Sequence, residues 1–252
     1  MRTLLKGEGV VKSFGGGAER RAVLDRVSIE LREGEFVAVM GPSGSGKSTL
    51  LYALSGMDGI DSGRVTFEGR ELAALGDDEL SDLRRRRMGF VFQQPTLLGS
   101  LDLLDNIILP AARDDRRGAA RHAEKARELM RRTGIEGLER RSVSQVSGGQ
   151  LQRAGICRAL MRDPAVLFGD EPTGALNSSA ARGIMDIIEE VNSGGTAVLL
   201  VTHDARVAAR AGRVVFMRDG GIESELELGR RDGEGLEPRA DRVAEAMRDL
   251  GV

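Results

Sequence analysis

The apolar and polar positions of this chain change rhythm several times. Residues 4–11 form a short β-like run, residues 27–31 (Val-Ser-Ile-Glu-Leu) alternate with a period of two, and residues 36–40 (Phe-Val-Ala-Val-Met) make a continuous apolar strand. The last of these feeds a glycine-rich loop, and residues 47–55 behind it read as a helix. Residues 63–67 and 88–92 predict further short strands, separated by a charged helical stretch at 77–87. From Pro95 to about Asp163 the spacing turns helical, with helices predicted at 101–109, 119–132 and 148–161. Strand and helix then alternate again at 165–170, 178–191, 196–202 and 205–211, followed by strands at 213–217 and 221–228. The expectation is an α/β fold with a mostly parallel sheet and a helical insertion at about 95–163. Residues 229–238 read as a polar linker to a short amphipathic helix at 239–250. No internal repeat is found, so we expect one catalytic unit per chain, at 1–228, with a tail at 229–252.

Composition narrows the function classes. Lysine and arginine number 37 against 39 aspartates and glutamates, a net charge of -2, so no global positive field recruits nucleic acid or anionic lipid. Aromatic residues make up 3% and tryptophan is absent, which leaves few platforms for stacked bases, and no nucleic-acid partner is expected. The single cysteine, Cys157, excludes an intramolecular disulfide framework and reads as a small buried residue in a reducing compartment. No window approaches the ~18 to 20 consecutive apolar residues that span a bilayer. The N-terminal stretch Met-Arg-Thr-Leu-Leu-Lys-Gly-Glu lacks the apolar core of a signal peptide. A cytoplasmic chain is expected, held at any membrane by another polypeptide.

The chemistry begins at residues 41–48, Gly-Pro-Ser-Gly-Ser-Gly-Lys-Ser. Gly41, Gly44 and Gly46 let the loop wrap so that backbone N–H groups point at a phosphate, and the following helix N-terminus adds positive potential. Lys47 then suits the β- and γ-phosphates and the Ser48 hydroxyl suits Mg²⁺. Asp170 ends an apolar strand, where open α/β folds bind ligands, and from there it can hold Mg²⁺ through water. Glu171, one residue on, suits a general base that polarises the attacking water.

Between these lies Val146-Ser-Gly-Gly-Gln-Leu-Gln-Arg153, opening a predicted helix. This order of loop, second Ser-Gly-Gly loop and acidic strand resembles the ABC-type ATPases over roughly residues 1–228. The resemblance implies a P-loop NTPase core with an antiparallel β subdomain and a helical subdomain. It implies ATP and Mg²⁺ as cofactors, with nucleotide binding by Gly41, Pro42, Ser43, Gly44, Ser45, Gly46, Lys47, Ser48 and Thr49. Phe14 stands where the family places an adenine-stacking aromatic, and a core phenylalanine is the rival reading. Gln93, rather than its neighbour Gln94, matches the glutamine that senses metal and water, which puts Ser48, Gln93 and Asp170 around Mg²⁺. His203, in Thr-His-Asp, matches the histidine that contacts the γ-phosphate and orients Glu171 and the water. His122, in a charged helix, reads as a solvated face. The family uses Ser147, Gly148, Gly149 and Gln150 in trans, against the γ-phosphate held by a second copy, so a homodimer is implied. Two departures stand out. Val146 replaces the usual leucine, and Asn177 occupies the dimer-coupling loop where many relatives carry aspartate.

Gly89-Phe-Val-Phe-Gln-Gln, Asp105-Asn-Ile-Ile-Leu-Pro110 and Gly169-Asp-Glu-Pro-Thr-Gly-Ala-Leu-Asn-Ser178 are similar to the lipoprotein-release, macrolide-efflux and antimicrobial-peptide (bacitracin-export) resistance subgroup. That implies a motor on the inner face of the cell membrane whose dimer closure drives a separate integral-membrane permease. Arg84, Arg85, Arg86 and Arg87 then read either as a solvated helix end or as contacts to permease carboxylates or lipid phosphates. Leu97 and Leu98 read either as an apolar groove for a permease helix or as core. A regulator of a cell-wall hydrolase and a soluble non-transport ATPase are the alternative functions.

Overall fold

The computed structural model describes residues 2–16, 21–113, 115, 118–229 and 235–250. In chain order its elements are β1 (Thr3–Phe14), β2 (Arg21–Arg32), β3 (Phe36–Met40), α1 (Lys47–Leu54), β4 (Ser62–Phe67), β5 (Arg70–Glu71), α2 (Asp77–Arg87), β6 (Met88–Phe92), α3 (Leu103–Ala112), α4 (Ala119–Arg132), α5 (Gly148–Leu160), β7 (Val166–Asp170), α6 (Ser178–Ser193), β8 (Ala197–Val201), α7 (Ala205–Ala208), β9 (Arg213–Arg218), β10 (Gly221–Glu227) and α8 (Leu236–Asp249). They fall into two compact units, Met1–Asp82 with Ala197–Val252, and Leu83–Thr196.

In the first unit β3 is buried along its whole length, as is β8, because both are apolar at every position. They pair in parallel from Phe36↔Val198 to Val39↔Val201, β9 pairs in parallel on the other side of β3, and β10 closes antiparallel on β9. A second, antiparallel sheet has the order β2-β1-β4-β5. β1 and β2 are each 12 residues long, well beyond the runs visible in the sequence. Their pairing contains register shifts, one of them between Gly7 and Val10, and Gly9 (φ 57) and Arg26 (φ 51) take left-handed backbone. Each such bulge reverses the in–out order of the side chains after it, so no single alternation runs through the strand. At the start of β9 the buried Arg213 donates to Glu35, Glu225 and the Glu30 carbonyl. Burial alone would lower its pKa, but hydrogen bonds to the two carboxylates outweigh it and the net shift is upward.

The tail helix α8 packs against α7 within this first unit. It begins at Leu236, before the predicted start, because Pro238 sits in its first turn, where the missing N–H costs no intrahelical bond. Of the polar stretch ahead of it, residues 230–234 lie outside the described residues.

In the second unit β6 and β7 pair in parallel, and α5 packs on β6 and on α3 and α4. Cys157 faces this interior beside the Thr133 hydroxyl at 3.1 Å, and burial pushes its thiol pKa up to about 11. The expectation of a solvated His122 is overturned: it is 7% exposed, with Nε2 3.2 Å from the Asp115 carbonyl oxygen. The charges around it on α4 point outward, while the His122 position falls on the apolar stripe with Ala126, Leu129 and Met130. Asn106, fully buried on α3, accepts from the Leu98 N–H at 2.7 Å and donates to the carbonyls of Leu98, Leu101 and Asp102.

Candidate active site

Two groups of the sequence-identified residues lie in the first unit. The parallel register of β3 and β8, with the Thr202 N–H on the Val39 carbonyl at 3.1 Å, sends the glycine-rich loop and His203 out from the same sheet edge. The loop's path needs its glycines. A Cβ on Gly41 (φ 152) would lie 2.2 Å from the Met217 carbonyl oxygen, and one on Gly46 (φ 98) 2.6 Å from that of Val23. Lys47 is 8% exposed, and its ammonium donates to the carbonyls of Gly41 (2.9 Å) and Pro42 (2.8 Å). The Ser45 hydroxyl is buried and has no hydrogen-bond partner among the described residues. A buried cation in the same loop as an orphaned hydroxyl and the first N–H groups of α1 suits an anionic oxygen ligand.

Phe14 is 49% exposed, which excludes the core reading. The Lys12 ammonium lies 5.1 Å from its ring centroid and is anchored by Asp58 and the Gly59 carbonyl, both at 2.7 Å. That is cation–π geometry, and it gives the ring a charged neighbour that sequence reading missed. The signal was available in the i, i+2 spacing on a strand, which puts both side chains on one face. His203 is exposed, between buried Thr202 and Asp204, whose carboxylate caps α7 by accepting from the Arg206 N–H at 2.8 Å.

The other residues lie in the second unit. Phe92 is paired with Asp170 in the β6–β7 register, so Gln93 and Glu171 leave the sheet at one edge. Glu171 has φ 47, a left-handed conformation that costs an L-residue roughly 1–2 kcal/mol and clusters at functional positions. Its carbonyl accepts from the Gly174 N–H at 3.0 Å, folding the chain back on itself at this turn. A Cβ on Gly174 would be 2.9 Å from Gln93 Nε2 and 3.2 Å from Glu171 Oε2. The side-chain ends of Gln93 and Glu171 therefore both lie against Gly174, with half-buried Asp170 next in the chain.

Ser147 is the N-cap of α5 and shares a capping box with Gln150: the Gln150 N–H donates to the Ser147 hydroxyl at 3.4 Å, and the Ser147 N–H to Gln150 Oε1 at 2.8 Å. Ser147 and Gly148 are exposed at this helix end. The same helix grips the Gln93 segment at both ends. Buried Gln152 donates to the Phe92 carbonyl at 2.8 Å, and Arg158, its pKa lowered by burial, donates to the carbonyl and hydroxyl of Thr96. Neither residue was singled out from sequence; a glutamine two places after Gln150 on a helix is turned to a different face, which was the available signal. Asn177 is the N-cap of α6, accepting from the Ala180 N–H at 2.9 Å. Asparagine and aspartate are equal in that role, so the replacement leaves the local fold alone.

Arg84, Arg85 and Arg87 are half-buried and Arg86 is exposed in the last turn of α2, where positive charge complements the helix dipole. Leu98 is 48% exposed and Leu97 half-buried, so the core reading fails for Leu98.

The family described as ABC transporter matches residues 24–174. The chain is 42% identical over 223 residues to the macrolide export ATP-binding/permease protein MacB of Neisseria meningitidis serogroup A, covering 88% of this chain and 34% of that protein. It is 43% identical over 221 residues to the probable syringafactin export ATP-binding/permease protein SyfD of Pseudomonas syringae pv. syringae, with the same coverage of 88% and 34%. The chain thus spans about a third of the length of these curated relatives. Among solved structures, the dimeric bacterial ABC transporter cassette MJ0796 matches with TM-score 0.83 and 38% identity, covering 89% of this chain and 99% of that one. Its dimeric post-hydrolysis state bound to ADP and Pi matches with TM-score 0.81 and 36% identity over the same 89% and 99%.

Proposed function

This chain belongs to the ABC transporter family as its ATP-binding, ATP-hydrolysing domain, and on that premise we propose that it is the homodimeric motor of an export complex. ATP-driven closure of the dimer would be transmitted to an integral-membrane permease on a separate chain, for export of or resistance to antimicrobial peptides, lipids or similar amphiphiles. The observation that supports the catalytic part is that the side-chain ends of Gln93 and Glu171 both lie against Gly174. The likeness to proteins named for macrolide and syringafactin export supports the amphiphile class, and the dimeric cassettes support the assembly. Among the described residues no helix is long and apolar enough to cross a membrane.

In this reading the N–H groups of Gly41, Ser43, Gly44, Ser45, Gly46, Lys47, Ser48 and Thr49 cradle the phosphates, Pro42 shaping the turn without a donor, and the Lys47 ammonium exchanges its carbonyl partners for phosphate oxygens. Phe14 stacks on the base. Ser48, Gln93 and Asp170 offer the hydroxyl, amide and carboxylate oxygens that suit Mg²⁺, Asp170 through water. When bound, Mg²⁺ neutralises charge developing on the phosphate oxygens. Glu171, held in its strained turn, polarises the attacking water while the Gln93 amide orients it, and His203 fixes the γ-phosphate. Ser147, Gly148, Gly149 and Gln150 face the γ-phosphate bound by the second copy, where the exposed N-terminus of α5 supplies N–H groups and positive potential. Asn177 lies in the loop that couples the two halves.

The test of assembly is sedimentation of Glu171→Gln with Mg²⁺ and ATP or with Mg²⁺ and ADP. A dimer with ATP and a monomer with ADP is expected. A variant that stays monomeric with ATP refutes the two-copy site.

A further inference from the structure

The tail helix α8 is tied to the end of α7 by one buried side chain. Arg239 is 0% exposed, the largest of the fully buried side chains, and its guanidinium is held by backbone carbonyls. Nε donates to Ala209 at 2.8 Å, Nη1 to Leu228 at 2.9 Å, and Nη2 to Ala211 at 2.7 Å and Gly229 at 3.0 Å. Ala209 and Ala211 lie just beyond α7, where the last carbonyls of a helix have no intrahelical partner and carry its negative end. A fork of fixed planar donors is suited to collecting several such carbonyls in one rigid arrangement.

We propose that Arg239 is a positioning residue for His203, acting through α7; the proposal rests on His203 being the γ-phosphate contact argued above. The chain from Thr202 to Ala211 is a continuous hydrogen-bonded segment. Its near end is fixed by the Thr202 N–H on the Val39 carbonyl. The Asp204 N–H bonds the Thr202 hydroxyl, the Asp204 carboxylate and carbonyl start α7, and the Ala211 N–H returns to the Ala208 carbonyl. Arg239 fixes the far end. Exposed His203 therefore sits in a span clamped at both sides, by the parallel sheet on one and by α8 on the other. Ala208, Ala209 and Ala211 are fully buried and carry no side-chain hydrogen-bonding group, so at this end of α7 the hold of Arg239 runs through main-chain carbonyls. The Arg206–Glu237 pair also links α7 to α8, at 3.2 Å, but both groups are about two-thirds exposed and the pair is screened by water.

Arg239→Met keeps much of the hydrocarbon volume and removes every donor. Steady-state hydrolysis of Mg-ATP by the full chain is expected to show kcat lowered about tenfold, the scale of a sub-ångström misplacement of a catalytic group. KM for ATP is expected to stay within about twofold, because the loop that binds the phosphates is untouched. In a His203→Ala background the same Arg239 change is expected to add no further loss, since its effect passes through His203. Glu237→Gln, which breaks only the exposed pair, is expected to leave kcat unchanged. A purely structural role would lower the active fraction equally in both backgrounds, and that result overturns the proposal, as does an unchanged kcat in Arg239→Met. If Arg239→Met does not fold, Arg239→Lys, which keeps the charge and loses the fork, carries the same comparison. Hydrolysis by the unmodified chain separates the two levels. Its absence brings down the reading of the catalytic site and this inference with it, whereas a normal wild-type rate with an unaltered variant removes the role of Arg239 alone.

Discussion

Gly174→Ala tests the proposed roles of Gln93 and Glu171 separately from the fold. The added Cβ would stand 2.9 Å from Gln93 Nε2 and 3.2 Å from Glu171 Oε2, inside the ~3.5 Å at which such atoms ordinarily touch. The Gln93 amide has to retreat by about 0.6–1 Å, and Glu171 by a few tenths, to restore normal contact. Both atoms end flexible side chains, so the fold absorbs the change readily. The backbone of Gly174 is not in the left-handed region, so alanine fits it, and the smaller entropy of the unfolded chain stabilises by about 0.4–1 kcal/mol. The catalytic geometry has no such tolerance. A displacement near 1 Å costs on the order of 10²-fold in rate, so kcat should fall about 10- to 10²-fold. The assay is phosphate release at saturating Mg-ATP, paired with a thermal melt of the same preparation. Gly155→Ala is the control, because its Cβ would meet Pro95 Cβ at an ordinary 3.8 Å, and in the interior of α5 it should add about 1 kcal/mol of stability without slowing hydrolysis. A Gly174→Ala protein with kcat within about twofold of wild type would refute the claim that Gln93 and Glu171 act together at this point.

Glu171→Gln should slow hydrolysis by about 10²- to 10⁴-fold while leaving ATP affinity intact, measured by single-turnover phosphate release against equilibrium nucleotide binding. Lys47→Ala should weaken ATP binding by about 10- to 10²-fold, the worth of charge-assisted bonds to phosphate, as read by calorimetric titration. Cys157 links stability to pH at the alkaline end. Its thiol ionises at about 11 in the fold against the usual 9.0, so the folded state holds the proton longer, and stability should fall as pH rises through that window by about 2–3 kcal/mol. Urea melts from pH 8.5 to 11 check this against Cys157→Ala, and an identical slope in both proteins sinks it.

Much of the molecule was legible in the sequence because its signals are local. The glycine loop, the apolar strand before it and the helix after it occupy one continuous stretch, as do Asp170, Glu171 and the strand they end. The places where reading failed are those where a partner outside the element decides the outcome. β1 and β2 run past their visible alternation because bulges at Gly9 and Arg26 are tolerated only when the two strands hold each other. His122 is buried because Asp115 brings a carbonyl to it, and a charged-looking helix gives no notice of that. Phe14 left two readings open, and burial separated them.

The order of motifs along the chain determined the family, the strand-and-helix alternation and which residues are proposed to react, since each follows from short-range periodicity and residue chemistry. Tertiary structure decided which of those groups share a neighbourhood. Gln93 and Glu171 are far apart in sequence, and both side chains reach Gly174 because β6 and β7 pair in one register. Arg239, which composition marks as one more surface charge, became the largest fully buried side chain among the described residues because carbonyls from two separate segments surround it. A buried charge is stable only where such partners are assembled, and that assembly is a property of the folded chain alone.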